Sequence, residues 1–315
     1  MGNSRRAFLS SALALGLGGV TVVVARAQSG SDGQEEGVVP VFTGGTELVV
    51  LHVTVADKDD RIVPDLKEDS FEIYENGVLQ PIKLFRREDV PVSVGILVDN
   101  SGSMRDKRLK VNAAAVDFVK ASNPDDEVFI VNFNDDAYLD SPFTNDIDRM
   151  QDALQRIDSR GGTAFYLAIQ MSLDYLNEKA KHDKRVLLLI TDGEDNASKP
   201  KLDLETLVRE LQEQNNATTI YSIGLLSEEE KGSAKRAARA IRYITRATGG
   251  PSYFPETVDE VHSLTTQIAY DIRNQYTLAY TPTDLDSKGF REIKIELKGK
   301  AKKYKVRHRP GYYAQ

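Results

Sequence analysis

Four apolar, β-branched runs separated by helical patterns constrain the fold of this chain more than any other feature. Uninterrupted apolar runs are typical of strands covered on both faces, as in a parallel sheet. The segments between the runs carry apolar residues at the helical period, so each has one face to bury. This alternation predicts a doubly wound α/β domain with a mostly parallel sheet over residues 91–275. The runs are Val92–Val98, Val128–Phe133, Val186–Thr191 and Thr219–Ile223.

The segments on either side of this domain have strand patterns only. Residues 46–90 contain short apolar or alternating runs and an Asn76-Gly77 pair, which favours a two-residue hairpin turn. Residues 276–315 contain three further runs, and the middle one, Arg291–Leu297, alternates cleanly. Neither segment is large enough to close a core, so we predict that the two pack together as a β-sandwich-like domain. The alternative is two separate β appendages. The basic run Lys298–Lys303 is interpreted as a charged hairpin turn.

The first 27 residues are predicted to be an export signal. Arg5 and Arg6 precede an apolar stretch, Ala12–Val24, and a small-residue cleavage pattern ends at Ala27. The paired arginines followed by Phe8 resemble a twin-arginine signal, with a Sec signal as the alternative. The apolar stretch is short and rich in Gly and Ala, so no permanent membrane anchor is expected. The Gly-, Ser- and acid-rich residues 28–45 are interpreted as a flexible linker, and the expected location is periplasmic or extracellular.

Charge and cysteine content narrow the possible functions. Loss of the predicted signal would remove three arginines and no acid, which changes the formal net charge from −7 to −10. An acidic exported protein is a poor candidate for binding nucleic acid or anionic lipid. The chain has no cysteine, which excludes disulfide bonds and thiol catalysis.

Oxygen-bearing side chains follow two of the predicted strands and open one predicted helix. Asp99, Ser101 and Ser103 come directly after the first apolar run, Asp192 follows the third, and Thr163 begins a helix. Ligands of doubly wound sheets bind beyond the carboxyl ends of the strands, where the strand order reverses. Carboxylate and hydroxyl oxygens are the ligands of hard cations, so the pattern predicts a site for Mg²⁺ or Mn²⁺. Five protein groups, some acting through water, would leave a position for an outside oxygen.

Each of these motifs also has a structural interpretation. An isolated Asp-x-Ser-x-Ser loop is favoured as a helix cap, and a lone Thr163 as an N-cap. Asp192-Gly193 by itself is a common turn. The occurrence of all three, each after the appropriate element, favours the metal site.

Asp99-x-Ser101-x-Ser103, Gly162-Thr163 and Thr191-Asp192-Gly193 together resemble the metal-ion-dependent adhesion site (MIDAS) of the von Willebrand factor A domain. The resemblance implies a Rossmann-like fold and a bound Mg²⁺, with Mn²⁺ or Ca²⁺ as alternatives. It also implies that Asp192 acts through water. The implied metal ligands are Asp99, Ser101, Ser103, Thr163 and Asp192.

The resemblance extends beyond the metal motifs. Glu75-Asn76-Gly77 and the closing Arg309-Pro310-Gly311-Tyr312 look like the flanks of bacterial exported "VWFA-related" proteins. It implies an adhesion-type protein-binding module in which the cation bridges to an Asp or Glu of a partner protein. The last helix of the domain, Val258–Asn274, can shift on ligand binding in relatives.

The alternatives are a structural subunit of a surface assembly and, less favoured, a Mg²⁺-dependent hydrolase. A haloacid-dehalogenase-type phosphotransferase would need a second acid where Ser101 stands. A serine hydrolase would need a Gly-x-Ser-x-Gly elbow, and a nicotinamide enzyme Gly-x-Gly-x-x-Gly after the first strand. The four histidines are scattered without metal-type spacing. We therefore expect no catalytic activity.

Overall fold

The four apolar runs of the sequence form the four inner strands of a central six-stranded sheet. The structure is a computed structural model, and it describes residues 48–87, 89–155, 159–213, 217–284 and 288–314. The predicted export signal and linker lie outside the described residues. Across the ranges that are described, each helix is too short or too polar to span a bilayer.

The strands are β1 (Val49–Ala56), β2 (Phe71–Glu75), β3 (Val78–Gln80), β4 (Leu84–Arg86), β5 (Val92–Asp99), β6 (Glu127–Phe133), β7 (Ala137–Thr144), β8 (Lys184–Thr191), β9 (Thr218–Gly224), β10 (Ser252–Tyr253), β11 (Tyr276–Tyr280), β12 (Gly289–Leu297), β13 (Lys305–Arg307) and β14 (Gly311–Ala314). The helices are α1 (Arg108–Ala121), α2 (Ile147–Gln155), α3 (Phe165–Lys179), α4 (Leu204–Glu213), α5 (Lys231–Thr248) and α6 (Val261–Arg273).

The central sheet has the strand order β10-β9-β8-β5-β6-β7. Its neighbouring strands are parallel except for β6 and β7, which are antiparallel. Starting at β5, the chain builds outward through β6 on one side and later through β8 on the other. The strand order therefore reverses between β5 and β8, which places the ligand-binding edge of the sheet at the ends of these two strands. The predicted doubly wound, mostly parallel fold is confirmed.

The helices cover both faces of this sheet. Residues of α1, α2 and α6 pack against one face, which includes Ile96 and Val98 of β5. Residues of α3, α4 and α5 pack against the other, which includes Leu97. Because successive strand residues point to opposite faces, every residue of β5 is buried. This double covering holds the end of β5, and the loop that follows it, rigidly in place.

Two antiparallel four-stranded sheets enclose a separate core. Their strand orders are β13-β1-β11-β4 and β14-β12-β2-β3. Each sheet combines strands from before and after the α/β domain, since β1 pairs with β11 and β2 with β12. The core between them includes Leu51, Phe71 and Ile295. Asn76 and Gly77 connect β2 to β3 with positive φ values of 50° and 79°, as a tight hairpin turn requires.

Several parts of this arrangement differ from the sequence interpretation or were not predicted. The basic run Lys298–Lys303 contains a 3-10 turn at Gly299–Lys303 that joins β12 to β13. Those two strands lie in different sheets, so the turn is not a hairpin. Strands β7, β10 and β14 and helices α2 and α5 had no counterpart among the predicted elements.

Candidate metal centre

The carboxylate of Asp99 lies at the end of β5 and is fully buried. Its Oδ1 accepts a hydrogen bond of 2.8 Å from the backbone N–H of Ser101. Its Oδ2 accepts one of 2.6 Å from the hydroxyl of Thr191, at the end of the neighbouring strand β8. These two bonds fix the carboxylate at the point where the strand order reverses.

Three more of the predicted site residues continue from this point as a chain of polar contacts. The hydroxyls of Ser101 and Ser103 are 3.1 Å apart. The Ser103 hydroxyl donates a hydrogen bond of 2.8 Å to Oδ1 of Asp192. Asp192 is fully buried, whereas Ser103 is exposed. The structure therefore brings Asp99, Ser101, Ser103 and Asp192 together, with the set open to solvent at Ser103.

Thr163 lies against the loop that carries Asp192. Its backbone N–H donates to Oδ1 of Asn196 at 2.9 Å, and its carbonyl accepts from the Asn196 N–H at 2.9 Å. The Thr163 hydroxyl sits over Gly193, where an added Cβ would lie 3.6 Å from it. The loop before Thr163 also reaches the first motif, since the Gly102 N–H donates to the Gly161 carbonyl at 3.3 Å.

The glycine pair before Thr163 is required by close contacts. Gly161 has a φ of +75°, and a Cβ there would lie 2.2 Å from Oδ2 of Asp135. A Cβ on Gly162 would lie 2.5 Å from Oδ1 of Asn196. The missing side chains allow the Gly162 N–H to donate to Asp135 at 2.7 Å. The local sequence thus folds so that the Thr163 loop is clamped between two polar side chains.

Buried amide side chains hold the loop that carries Asp99, Ser101 and Ser103 in place. Asn100 is fully buried, and its side-chain N–H donates to Oδ1 of Asn132 on β6 at 2.7 Å. Asn132 in turn donates to Asp140 at 2.8 Å and to the carbonyl of Ala153 at 3.1 Å. A buried, hydrogen-bonded network of this kind limits the movement of the loop.

The electrostatics of the site are dominated by two carboxylates in a dry environment. Burial, and next the neighbouring Asp192 carboxylate, raise the pKa of Asp99 to about 7. The ammonium of Lys107, at the start of α1, lies 2.8 Å from Oδ2 of Asp192 and 3.0 Å from Glu228. Burial opposes the charge of Lys107, but these two partners raise its pKa above the usual value. The buried Lys107 ammonium thus contacts one buried carboxylate, that of Asp192, and one exposed carboxylate, that of Glu228.

This donor set fits a hard divalent cation. Among the residues that the structure describes, no three His, Cys, Asp or Glu side chains form a group that could hold a metal. A cation here would therefore depend on Asp99 and Asp192 together with hydroxyl oxygens. All of these are oxygen donors, as Mg²⁺ prefers.

Several residues at the site were not singled out from the sequence. Lys107, Asn196 and Asp135 act only through contacts with loops distant in the chain, which gives no local signal. Thr191 belongs to the Thr191-Asp192-Gly193 motif, but its hydroxyl was assigned no role from the sequence. The nearby Asp195 carboxylate accepts a hydrogen bond of 2.9 Å from the Tyr166 N–H and so caps the start of α3.

The comparisons with known proteins bear on the fold of the domain that carries this site. Residues 94–194 match the family model of the von Willebrand factor type A domain. A search of curated proteins found no match. A solved von Willebrand factor type A structure from Catenulispora acidiphila aligns with a TM-score of 0.52 and 12% identity, covering 87% of this chain and 74% of that chain.

Two further solved structures align with more than half of this chain. The vWF domain of the type V pili tip protein Mfa5 from Porphyromonas gingivalis has 14% identity and a TM-score of 0.47, covering 58% of this chain and 95% of its own. BatB from Bacteroides thetaiotaomicron has 19% identity and a TM-score of 0.44, covering 57% of this chain and 97% of its own. Residues 94–194 of this chain are thus similar to the von Willebrand factor type A domain, and the Catenulispora structure shares its fold.

Proposed function

We propose that this protein is an exported, metal-dependent protein-binding module of the adhesion type. Asp99, Ser101, Ser103, Thr163 and Asp192 would hold a divalent cation, Mg²⁺ by preference, with Mn²⁺ or Ca²⁺ as alternatives. When bound, the cation would supply a coordination position for a carboxylate oxygen from an Asp or Glu of a protein partner. The protein would act outside the cytoplasm, in the periplasm or beyond.

The observation that carries the proposal is the continuous polar chain from Asp99 through Ser101 and Ser103 to Asp192. It lies at the switch point of the sheet, where ligands of this fold class bind. Exposed Ser103 gives an approaching side chain access to the cluster. The two hydroxyls contribute oxygen donors without adding negative charge, so the bound ion would keep its attraction for an outside anion.

The fixed loops around the site would also restrict the direction from which a partner carboxylate can approach. The loop after β5 is fixed by Asn100 and Asn132, and the Thr163 loop by Asp135 and Asn196. A partner carboxylate would therefore meet a preorganised opening and would not have to order it on arrival.

A thermal-shift titration with Mg²⁺ tests the metal site. Mg²⁺ at about 100 times its dissociation constant should stabilise the parent by about 2.7 kcal/mol relative to EDTA. Asp99→Asn should lose this response. The matched control is Asp106→Asn, which removes an exposed carboxylate from the same loop and should keep it. Equal melting with and without Mg²⁺ in the parent would overturn the site.

Partner binding needs a separate measurement. Crosslinking near Ser101 in an extracytoplasmic extract should capture a specific protein in Mg²⁺ and lose it in EDTA. Asp99→Asn should fail to capture that protein, and Asp106→Asn should retain it. Assembly with a partner that is unchanged by both EDTA and Asp192→Ala would favour the structural-subunit alternative.

A further inference from the structure

Helix α5 carries a single row of cations along its exposed side. Five basic residues are spaced by four, four, three and four positions, so they lie on one face of the helix. All five are exposed, while Ala237, Ile241 and Ile244 on the opposite side are buried. We call this row the α5 basic face. It consists of Lys231, Lys235, Arg239, Arg242 and Arg246.

The charge of this face is unusual in its surroundings. The whole chain has a formal net charge of −7, yet α5 contains no acidic residue. Like charges at i,i+4 destabilise a helix by about 0.2–0.5 kcal/mol per pair. Lys231 and Lys235 also lie at the N-terminal end, where the helix dipole disfavours cations. The composition of the face therefore works against the stability of its own helix.

Local contacts do not explain the face. Among the described residues, the ion pairs within 4.0 Å that involve α5 are confined to Arg236, which lies beside the face and binds Glu194. Arg242 stacks over the ring of Phe254, with its guanidinium carbon 4.4 Å from the ring centroid. The remaining four cations of the face project without a carboxylate partner within that distance.

The face begins next to the candidate metal centre. Arg236 donates from Nε to both carboxylate oxygens of Glu194 at 2.9 Å, and Glu194 stands two residues after Asp192. Glu228, just before α5, contacts Lys107, which in turn holds Asp192. Helix α5 is thus tied at its N-terminal end to the edge of the sheet where the site lies.

We propose that the α5 basic face docks an extended acidic segment of a partner protein. From Lys231 to Arg246 the helix rises about 22 Å, which an extended chain spans in about seven residues. Cations four positions apart on the helix are separated by about 6 Å along its axis. Alternate side chains of an extended strand are about 6.6 Å apart on one side. Carboxylates at every second residue of the segment would therefore meet successive cations of the face.

Charge screening favours a short segment over a larger polyanion. At physiological ionic strength the screening length is about 8 Å, so a segment confined to the face interacts mainly with these five cations. A membrane surface or a nucleic acid would extend past the face and meet the acidic excess of the rest of the chain. The face thus supplies long-range attraction for an acidic partner, and this attraction is independent of any metal.

The test uses the whole protein in EDTA and a labelled peptide, so it does not depend on the metal site. The probe is a fluorescein-labelled heptapeptide with glutamate at positions one, three, five and seven and serine between, measured by fluorescence anisotropy at low salt. Lys235→Gln, Arg239→Gln and Arg246→Gln combined should weaken binding about tenfold, since each exposed ion pair contributes only modestly. The melting temperature of this variant should not fall, because helix repulsion is relieved.

A charge-matched variant gives the control. Lys300→Gln, Lys302→Gln and Lys303→Gln combined remove the same number of exposed charges from the turn between β12 and β13. This variant should bind the peptide as the parent does. Equal weakening in both variants would show a general charge effect and overturn the proposal. So would binding of phosphatidylserine vesicles through the face with no peptide binding. Because EDTA is present throughout, failure here leaves the Mg²⁺ test unaffected.

Discussion

Two buried carboxylate clusters differ in how completely their charges are compensated. The first cluster lies between the two antiparallel four-stranded sheets, and we call it the sandwich cluster. Its Glu75 accepts hydrogen bonds from Arg291 at 2.9 Å, Tyr280 at 2.6 Å and Tyr312 at 2.9 Å. Glu75 and Arg291 are 4% and 3% exposed, so one negative charge faces one positive charge in a dry core. Burial, and next the Glu75 carboxylate, raise the pKa of Tyr312 to about 12, so its hydroxyl stays protonated and keeps donating.

The rim cluster of Asp99, Asp192 and Lys107 is incomplete by the same criteria. Asp99 and Asp192 are both buried, but the Lys107 ammonium contacts only Asp192 of the two, and burial, and next the Asp192 carboxylate, raise the pKa of Asp99 to about 7. Both clusters are buried and hydrogen-bonded, so neither burial nor hydrogen bonding separates a structural cluster from a binding one. The feature that distinguishes the two clusters is the uncompensated negative charge at the rim. In the proposed site, a cation from outside would compensate the charge deficit at the rim.

Removal of the guanidinium from the sandwich cluster should give the largest effect. Arg291→Met leaves Glu75 buried without a counter-charge and should lower the free energy of unfolding by about 3–5 kcal/mol. Urea denaturation measures this change. The matched control is Lys294→Met on the same strand, whose ion pair with Glu296 is exposed and should contribute about 1 kcal/mol or less.

The sandwich prediction has an internal check. Adding Glu75→Gln to Arg291→Met should recover part of the lost stability, because the uncompensated charge is then gone. A single Arg291→Met variant within about 1 kcal/mol of the parent would show that this cluster is not the balanced pair described.

A smaller, metal-sensitive effect is expected at the rim. Lys107→Met leaves the buried Asp192 carboxylate without its ammonium partner, so in EDTA the variant should lose about 2 kcal/mol of stability. Mg²⁺ should then stabilise the variant more than it stabilises the parent, because the bound ion would replace the positive charge that Asp192 has lost. Thermal denaturation with Mg²⁺ and with EDTA measures both effects.

The control for Lys107→Met is a substitution at Lys110, one helical turn further along the chain. Lys110→Met removes an ammonium whose pair with Asp259 is exposed, so it should alter stability by about 1 kcal/mol or less. An Mg²⁺ response in Lys107→Met no larger than in Lys110→Met would mean that Lys107 does not balance the site.

Elements buried on two faces were predictable from the sequence, and elements with one wet face were less so. Strand β5 was expected at Val92–Val98 and spans Val92–Asp99. Strand β7 was missed because it is a partly exposed, antiparallel edge with no continuous apolar run. Helix α5 was missed because small alanines and basic residues dilute its apolar stripe.

The candidate site shows the same limit. The positions of Asp99 and Asp192 at strand ends follow from the apolar runs before them, and the structure places both at the switch point. Their ligation of a metal stays a prediction. The role of Lys107 depends on the loop after β9 reaching back with Glu228. No local pattern encodes that contact, because it depends on the packed sheet.

The smallest effect is expected at Asp271 on α6, which lies between the two extremes. Its Oδ2 is 3.5 Å from Arg307 and accepts from the Tyr253 hydroxyl at 3.4 Å, while its buried Oδ1 has no hydrogen-bond partner among the described residues. Burial raises the pKa of Asp271 to about 6, against about 3.9 in an unfolded chain. The folded state therefore binds this proton more tightly. The stability that the group contributes is fully present below about pH 4 and declines as pH rises through about 6.

Asp271→Asn isolates this contribution because it cannot titrate. The stability of the parent relative to Asp271→Asn should decrease by an amount on the order of 1 kcal/mol between pH 4 and pH 7. Thermal denaturation of both proteins across that range measures the difference. A difference that grew with pH would mean that Arg307 compensates the carboxylate fully. Asp271 would then be as fully compensated as Glu75. It would no longer be intermediate in charge compensation between the sandwich cluster and the rim cluster.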